Sequence, residues 1–350
     1  MLGAYYANTP SSSKSKKLLI LSSLLILGLV GTYGYLSRPS SSFLSLYEAQ
    51  ELEFKNFISY YNKNYSSDEY FDRLRIFLDN LAFIRIFNSQ GHSFVMGIGP
   101  FADMTFEEFK SQRSFQRPQR DESEISTVSD ITLNAPAQVD WRTKGAVTPV
   151  KDQGNCGSCW SFSATGSMEG AWFLAGHPLV SLSEQQLMDC SWLYGNEGCN
   201  GGQYEQAIKY VIANKGITSE SNYPYLTRDG VCNKSKASQI VATMSQLTKV
   251  TVDNPTALQN SVAQQPTSVS VDAAAVAWQH YNSGTITSLC GTNLDHDVLV
   301  VGYDTTASTP YWIVKNSWGT DWGMAGYLQI GITSGKGLCG INMNPGYPTS

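Results

Sequence analysis

All seven cysteines of this 350-residue chain lie between Cys156 and Cys339. Six of an odd seven could pair, leaving one thiol that is reactive, buried or bonded elsewhere. Each pair confines the chain to folds that bring two distant Cα atoms within about 7 Å. Disulfides persist in oxidising compartments, so the count asks for a route to one.

The amino-terminal end supplies a candidate route. Lys14, Lys16 and Lys17 precede the apolar run Leu18 to Val30. A basic stretch ahead of such a run reads as a secretory signal. Apolar character continues through Gly31–Leu36, long enough to just span a bilayer. Residues 1–17 are therefore read as a basic cytoplasmic region and 18–36 as a signal peptide or a signal anchor. Either sends the remainder into the lumen, because the lysines stay on the cytoplasmic side.

With 15% charged and 42% hydrophobic residues the chain is globular, and its length suits two or three compact units. A net charge of -5 without a basic stripe argues against nucleic acid as a partner. Residues 37–45 read as a polar linker. Apolar and aromatic residues then recur at helical spacing from Leu46 to Tyr61. Ser66 and Ser67 supply caps for a helix from about Asp68 to Asn88, and Gly91, Gly97, Gly99 and Pro100 interrupt the pattern. Residues 46–110 form this first unit. Residues 111–134, rich in Ser, Gln, Arg, Asp and Glu, read as an exposed, cleavable linker.

A second unit, 135–350, begins near Ala135. Its first half is helical. One helix follows Cys159 and ends near Gly176, and Ser181 with Glu184 suggests a capping box for the next. Gln203 to Lys215 is amphipathic and stops at Gly216, and Asn254–Pro255 opens another helix. The period then changes to short strands at Thr267–Asp272, Val298–Tyr303, Tyr311–Lys315 and Tyr327–Ile330. The expected class is α+β, with a helical lobe, a β-rich barrel-like lobe and a site in the cleft between them.

Cys156 and Cys159 have C-x-x-C spacing, which fits a zinc half-site, a redox pair, or one structural and one catalytic cysteine. Zinc needs a second ligand pair, and a redox motif wants a preceding βαβ pattern; neither is seen. Cys159 also opens a helix, whose partial positive charge favours the reactive thiolate. A thiol nucleophile needs a base. Of the four histidines, His92, His177 and His280 read as exposed or packing residues. His296, in LDHDVLVVGY, stands just before a buried strand and can present its ring at a cleft edge. Asn316, in KNSWG, offers a neutral carbonyl to orient that ring.

These residues together resemble the papain-like cysteine protease family. CGSCW at 156–160, VDWRTKGAVTPVKDQGNCGSCW around it, DC…GCNGG, LDHDVLVVGY and YWIVKNSWGTDWG follow the family pattern in order. The resemblance covers about Leu46 to Ser350, and the later unit looks closest to the cathepsin L-like branch. It implies a papain-like two-lobe fold behind an inhibitory helical propeptide. Cys159 would be the nucleophile, His296 its partner and Asn316 the holder of the imidazole, with Trp318 shielding that bond. Gln153 would donate to the oxyanion hole together with the Cys159 N–H. Gly201, Gly202, Gln203, Tyr204, Ser270, Leu294, Asp297 and Asn344 would line the substrate cleft. The implied pairing is Cys156–Cys199, Cys190–Cys232 and Cys290–Cys339, leaving Cys159 free.

Glu69, Arg73, Phe77, Asn80, Ile84 and Asn88 match the family's pro-region signature, and their steps of three and four keep them on one helix stripe. Gly97, Phe101 and Asp103 match a second motif, but Gly99 stands where the family usually has Asn. Asn64 and Asn233 are glycosylation acceptors. The implied activity is endopeptidase action through a thioester acyl-enzyme, without metal or organic cofactor. Implied partners are protein and peptide substrates, the chain's own propeptide and cystatin-type inhibitors. Membrane contact is confined to the amino-terminal segment, the protein is expected to be a monomer, and its destination is the lysosome, vacuole or exterior. The alternative is a non-catalytic homologue using the cleft only to bind. Asp297 departs from the Ala or Gly usual after the catalytic histidine. A carboxylate there would favour Arg or Lys in the pocket for the second residue before the cut and raise the His296 pKa; the alternative is that Asp297 turns aside to solvent or pairs with a backbone N–H.

Overall fold

The computed structural model describes residues 41–113, 128–129 and 135–350. The expectations for 1–17 and 18–36, and most of the linker 111–134, lie outside those residues. Among the described residues no helix is long and apolar enough to cross a membrane, and no cluster of His, Cys, Asp and Glu is arranged to hold a metal ion.

The chain divides at Asn64/Tyr65. Before the division, helix α1 (Ser41–Tyr60) presents Phe57 to Tyr61 with ring centroids 5.1 Å apart, and Lys63 lies over the Phe57 ring.

After it, helix α2 (Ser67–Asn88) begins with a reciprocal cap: Ser66 accepts from the Glu69 N–H, and Glu69 accepts from the Ser66 N–H. The signature stripe then has a structural reading at each position. Phe77 and Ile84 are buried. Arg73 donates to Glu108 Oε2 at 2.9 Å and to the Asp103 carbonyl. Asn80 Nδ2 donates to the carbonyls of Ala102 and Met104, both at 2.8 Å. Asn88 exchanges two hydrogen bonds with the backbone of Met96. Strand β1 (Phe94–Met96) pairs antiparallel with β6 (Tyr281–Ile286), and helix α3 (Phe106–Arg113) follows. A Cβ on Gly97 would meet the Asn282 side chain at 3.0 Å, so a larger residue would have to push that side chain back. Gly99 has open space around it, so the departure from Asn imposes no steric change.

Residues 111–113 correct the linker expectation: they complete α3, and Arg113 is buried. Composition marked them polar, but a guanidinium on an aromatic face buries readily. Val128–Ser129 (β2) pair parallel with β4 (Gln246–Val250).

The helical lobe holds α4 (Cys159–Leu174), α5 (Glu184–Cys190) and α6 (Tyr204–Ala213), packed around Trp160, Met168, Leu187, Ile208 and Val211. Ser183, not Ser181, caps α5, accepting from the Gln186 N–H. The sheet adds β3 (Gln138–Asp140), β5 (Thr267–Val271), β7 (His296–Asp304), β8 (Tyr311–Lys315), β9 (Tyr327–Gly331) and β10 (Gly346–Thr349). Its order is β1-β6-β9-β8-β7-β5-β10-β4-β2, with β3 on β7. Strands β3, β4, β6 and β10 were not expected, because their polar or very short sequences show little alternation. Helices α7 (Lys234–Ala237), α8 (Pro255–Gln264) and α9 (Val276–Gln279) complete the fold; Asn254 caps α8 with proline in the first turn.

The lobes meet along α4 and β7. Ser163 Oγ donates to the Val298 carbonyl at 2.8 Å, and Ser268 Oγ donates to the Ser163 carbonyl. A Cβ on Gly166 would stand 2.8 Å from Leu299 Cδ2, so a larger residue would require that side chain to shift. The sheet core also takes in Ile84, Phe87, Phe94, Met96, Phe101, Met104 and Phe109. Residues 84–109 are thus continuous with the core of the β lobe, each buried ring contributing about 2 kcal/mol of transfer energy.

Candidate active site

Cys159 is the first residue of α4, is buried, and takes part in no disulfide. The turn before it is held by the Cys156–Cys199 disulfide and by the Gly157 N–H on the Cys199 carbonyl. Cys190–Cys232 and Cys290–Cys339 are also bonded. All three pairs are those implied by the resemblance.

His296 opens β7 and Asn316 follows β8, the neighbouring antiparallel strand, so the register sets them side by side. His296 Nε2 lies 2.8 Å from Asn316 Oδ1, which also accepts from the Ser317 N–H at 2.8 Å. An amide oxygen can only accept, so Nε2 carries the proton and Nδ1 is the free base nitrogen. Nδ1 is buried and makes no hydrogen bond. Ser163 is one helical turn beyond Cys159 and Val298 two residues beyond His296, so the bond between them brings the helix start and the strand start to the same end of the cleft.

Gln153 is fully buried. Its N–H donates to the Ser317 carbonyl, its Oε1 accepts from Ser317 Oγ at 2.6 Å, and its Nε2 donates to the Cys156 carbonyl. Its amide is therefore engaged within the loop in this precursor. Ser317, which sequence reasoning passed over, stitches that loop to the histidine's holder.

Trp318 lies 5.0 Å from the His296 ring, with Trp278 edge-on at 6.0 Å. Over Trp318 sit Phe101 and Phe109 of the pro-region, edge-on at 5.5 and 5.8 Å, and the Arg113 guanidinium 5.5 Å from its centre. This cover decides the histidine's charge. Burial pushes His296 down to about 4, the Asn316 carbonyl opposes that, and the Arg113 charge adds repulsion. The expected rise through Asp297 is thus corrected: desolvation beneath the pro-region dominates.

Asp297 is buried. Its Oδ1 accepts from Ser270 Oγ at 2.6 Å, and its Oδ2 accepts from the Tyr204 N–H at 3.3 Å. Gln203, at the cap of α6, makes no side-chain cap bond, so Asp297 serves that helix end from across the cleft. Asn344 Nδ2 donates to Ser270 Oγ and Glu205 Oε1, and Lys249 Nζ bonds Glu205, Asn344 Oδ1 and Tyr204 Oη. The proposed cleft residues Tyr204, Ser270, Asp297 and Asn344 thus form one buried network with Lys249 and Glu205. The last two escaped the sequence reading; a lysine in the strand sequence QLTKV was the available signal. Gly201 and Gly202 are buried, and a Cβ on Gly202 would strike the Trp160 ring. Leu294 is half-buried against Gly340.

The other histidines do not join the site. His92 stacks on Phe87 and His177 on Trp172. His280 is buried near Phe83, and burial pulls it down to about 3. Asn64 and Asn233 are exposed.

Residues 135–349 match the family described as papain family cysteine protease, and residues 54–109 the cathepsin propeptide inhibitor domain (I29). A senescence-specific cysteine protease of Oryza sativa subsp. japonica, SAG39, is 42% identical over 304 residues, covering 85% of this chain and 89% of that protein. Among solved structures, a recombinant stem bromelain precursor aligns with a TM-score of 0.80 at 36% identity, over 86% of this chain and 99% of that one. Digestive procathepsin L 3 of Tenebrio molitor larval midgut aligns at 0.78 and 37%, with the same coverage.

Proposed function

The chain belongs to the papain family of cysteine proteases, in its cathepsin L-like branch, as a precursor with its own inhibitor domain; on that premise we propose that Cys159 is the nucleophile and His296 its proton partner. The observation that carries this is the His296–Asn316 pair under Trp318, at the same end of the cleft as the helix start bearing the cysteine that is in no disulfide.

His296 Nδ1 takes the Cys159 proton, and the thiolate attacks the substrate carbonyl carbon. The resulting oxyanion is held by the Cys159 N–H and by the second N–H of Gln153 Nε2, the first being given to the Cys156 carbonyl. The imidazolium protonates the leaving amine as the C–N bond breaks, leaving a thioester. Water, deprotonated by the histidine, hydrolyses that ester and regenerates the thiol. Asn316 keeps Nε2 protonated and the ring in plane throughout.

The precursor is autoinhibited. We assign the inhibitory unit to 46–113, the cleavable linker to 114–134 and the mature enzyme to 135–350, with the cut near Ala135. The Tyr303 hydroxyl donates to the Pro136 carbonyl, and β3 pairs with β7, which supports a mature chain anchored from 136 onward. Three disulfides suit an oxidising compartment. The finer reading is entry through 18–36, glycans on Asn64 and Asn233, delivery to lysosome, vacuole or exterior, and action as a monomer open to cystatin-type inhibitors.

The test is alkylation of processed protein by a thiol-directed epoxide. One equivalent on Cys159, with parallel loss of peptide hydrolysis, is expected. Turnover by Cys159→Ala, with contaminating wild type excluded, sinks the assignment. The binding-only alternative has no observation in its favour.

A further inference from the structure

The pro-region places one charged side chain against the catalytic wall. Arg113, at the end of α3, is 6% exposed. Its Nη1 donates to the Gly154 carbonyl at 2.8 Å, in the loop that carries Gln153. Its guanidinium carbon lies 4.6 Å from the Phe101 ring centre and 5.5 Å from that of Trp318. The Asp152 carboxylate stabilises its charge, Asp152 itself being bridged to Trp318 and accepting from the Gly154 N–H. Burial, opposed by the Asp152 carboxylate, draws the guanidinium down only to about 10, so it stays charged at neutral and acid pH. Its Nε has no hydrogen-bond partner. Arg113 is therefore held by an aromatic face, a carbonyl and a nearby carboxylate, which are the groups that bind a guanidinium in general.

Three of these, Trp318, the Gly154 carbonyl and Asp152, belong to the mature chain and stay when the pro-region leaves. Their place fixes which part of a substrate they would meet. His296 protonates the leaving amine, and Trp318 lies beside His296. Residues beyond the cleaved bond would therefore run over Trp318.

We propose that Trp318, the Gly154 carbonyl and Asp152 form a subsite for a guanidinium side chain on the leaving-group side of the cut, filled in the precursor by Arg113. The inference rests on the protease reading. It makes the mature enzyme favour Arg just after the cleaved bond and disfavour Glu there. It also makes Arg113 an internal occupant that substrate must displace.

The experiment uses processed enzyme and internally quenched peptides that differ only in the first two residues after the cut, as Arg, Ala or Glu. An Arg peptide should exceed its Ala counterpart in kcat/KM by about fivefold to tenfold, the scale of one cation–π contact plus one solvent-facing pair. Asp152→Asn keeps an acceptor for the Gly154 N–H and should narrow the Arg-to-Ala ratio severalfold. Salt should narrow it too. In the full-length precursor, Arg113→Gln should speed maturation, with Arg113→Lys nearer to wild type. Equal rates for Arg and Ala, or a ratio untouched by Asp152→Asn, overturns the subsite while leaving the protease intact. Failure to cleave any peptide, with no epoxide labelling of Cys159, overturns the protease reading and the subsite with it.

Discussion

His296 Nε2 stands 2.8 Å from Asn316 Oδ1, and that oxygen is fixed as an acceptor by the Ser317 N–H. The tautomer of the His296 ring is thus set by a backbone group one residue beyond its holder. Nδ1 is left as the basic nitrogen, and the ring cannot rotate without breaking the bond.

Asn316→Ala should therefore lower kcat/KM of the processed enzyme by roughly tenfold to a hundredfold, within the range for a lost orienting hydrogen bond. His296→Ala should cost more, because it removes the base itself. Peptide hydrolysis at fixed enzyme concentration, normalised by titration of the thiol, decides it; equal losses would show that Asn316 does more than orient.

Asp297→Ala removes the acceptor shared by Ser270 and the start of α6. It should destabilise the mature domain by about 1–3 kcal/mol, the usual cost of a broken buried hydrogen-bond pair. Thermal unfolding of processed protein measures this. A peptide series varying the second residue before the cut should show the same Leu-to-Arg preference in variant and wild type. A loss of Arg preference in the variant would restore the specificity role.

Asn80 holds the inhibitory segment by two carbonyls, Ala102 and Met104, and Gln279 of the mature part reaches the same Met104 carbonyl at 2.9 Å. Asn80→Ala should loosen the stretch that carries Phe101. The precursor should then mature about tenfold faster, as expected for ~1.4 kcal/mol of lost docking. The rate of conversion to mature-size protein in a gel time course is the readout; an unchanged rate places the restraint elsewhere.

Acid should weaken the precursor through His280. Burial lowers its folded pKa from 6.5 to about 3. Between those values the released or unfolded state binds a proton that the packed precursor does not. Stability from this group is therefore full above pH 6.5 and falls as pH drops toward 3, with a slope near 1.4 kcal/mol per pH unit. His296, lowered to about 4, adds a second loss of the same sign between 6.5 and 4. His280→Leu should flatten the fall in precursor melting temperature from pH 6.5 to 4. An identical pH profile in the variant removes His280 from the account.

Much of this was legible in the residue order. The α2 stripe, the Asn254–Pro255 helix start, the Cys159 helix, β8 and the pairing implied by the family motifs all rest on patterns a few residues long or on motif spacing. Such signals survive without knowledge of the fold, because caps and periodicity act over one or two turns. The side-chain placements that the residue order left open share a common reason. Arg113 sits in a polar run, Lys249 in a short strand and Asp297 after a motif histidine, and nothing local shows where each side chain points. The His296 charge state is likewise a sum over Trp318, the pro-region cover and Arg113, which are contributed by separate stretches of chain.

The sequence by itself determined the chemistry present: one unpaired thiol, a histidine, an amide to hold it and an inhibitor ahead of them. Only the tertiary structure decided their working state. Desolvation, side-chain direction and the pairing of Asp297 with Ser270 depend on what the folded chain brings from far away, and those neighbours exist only once the lobes and the pro-region have packed.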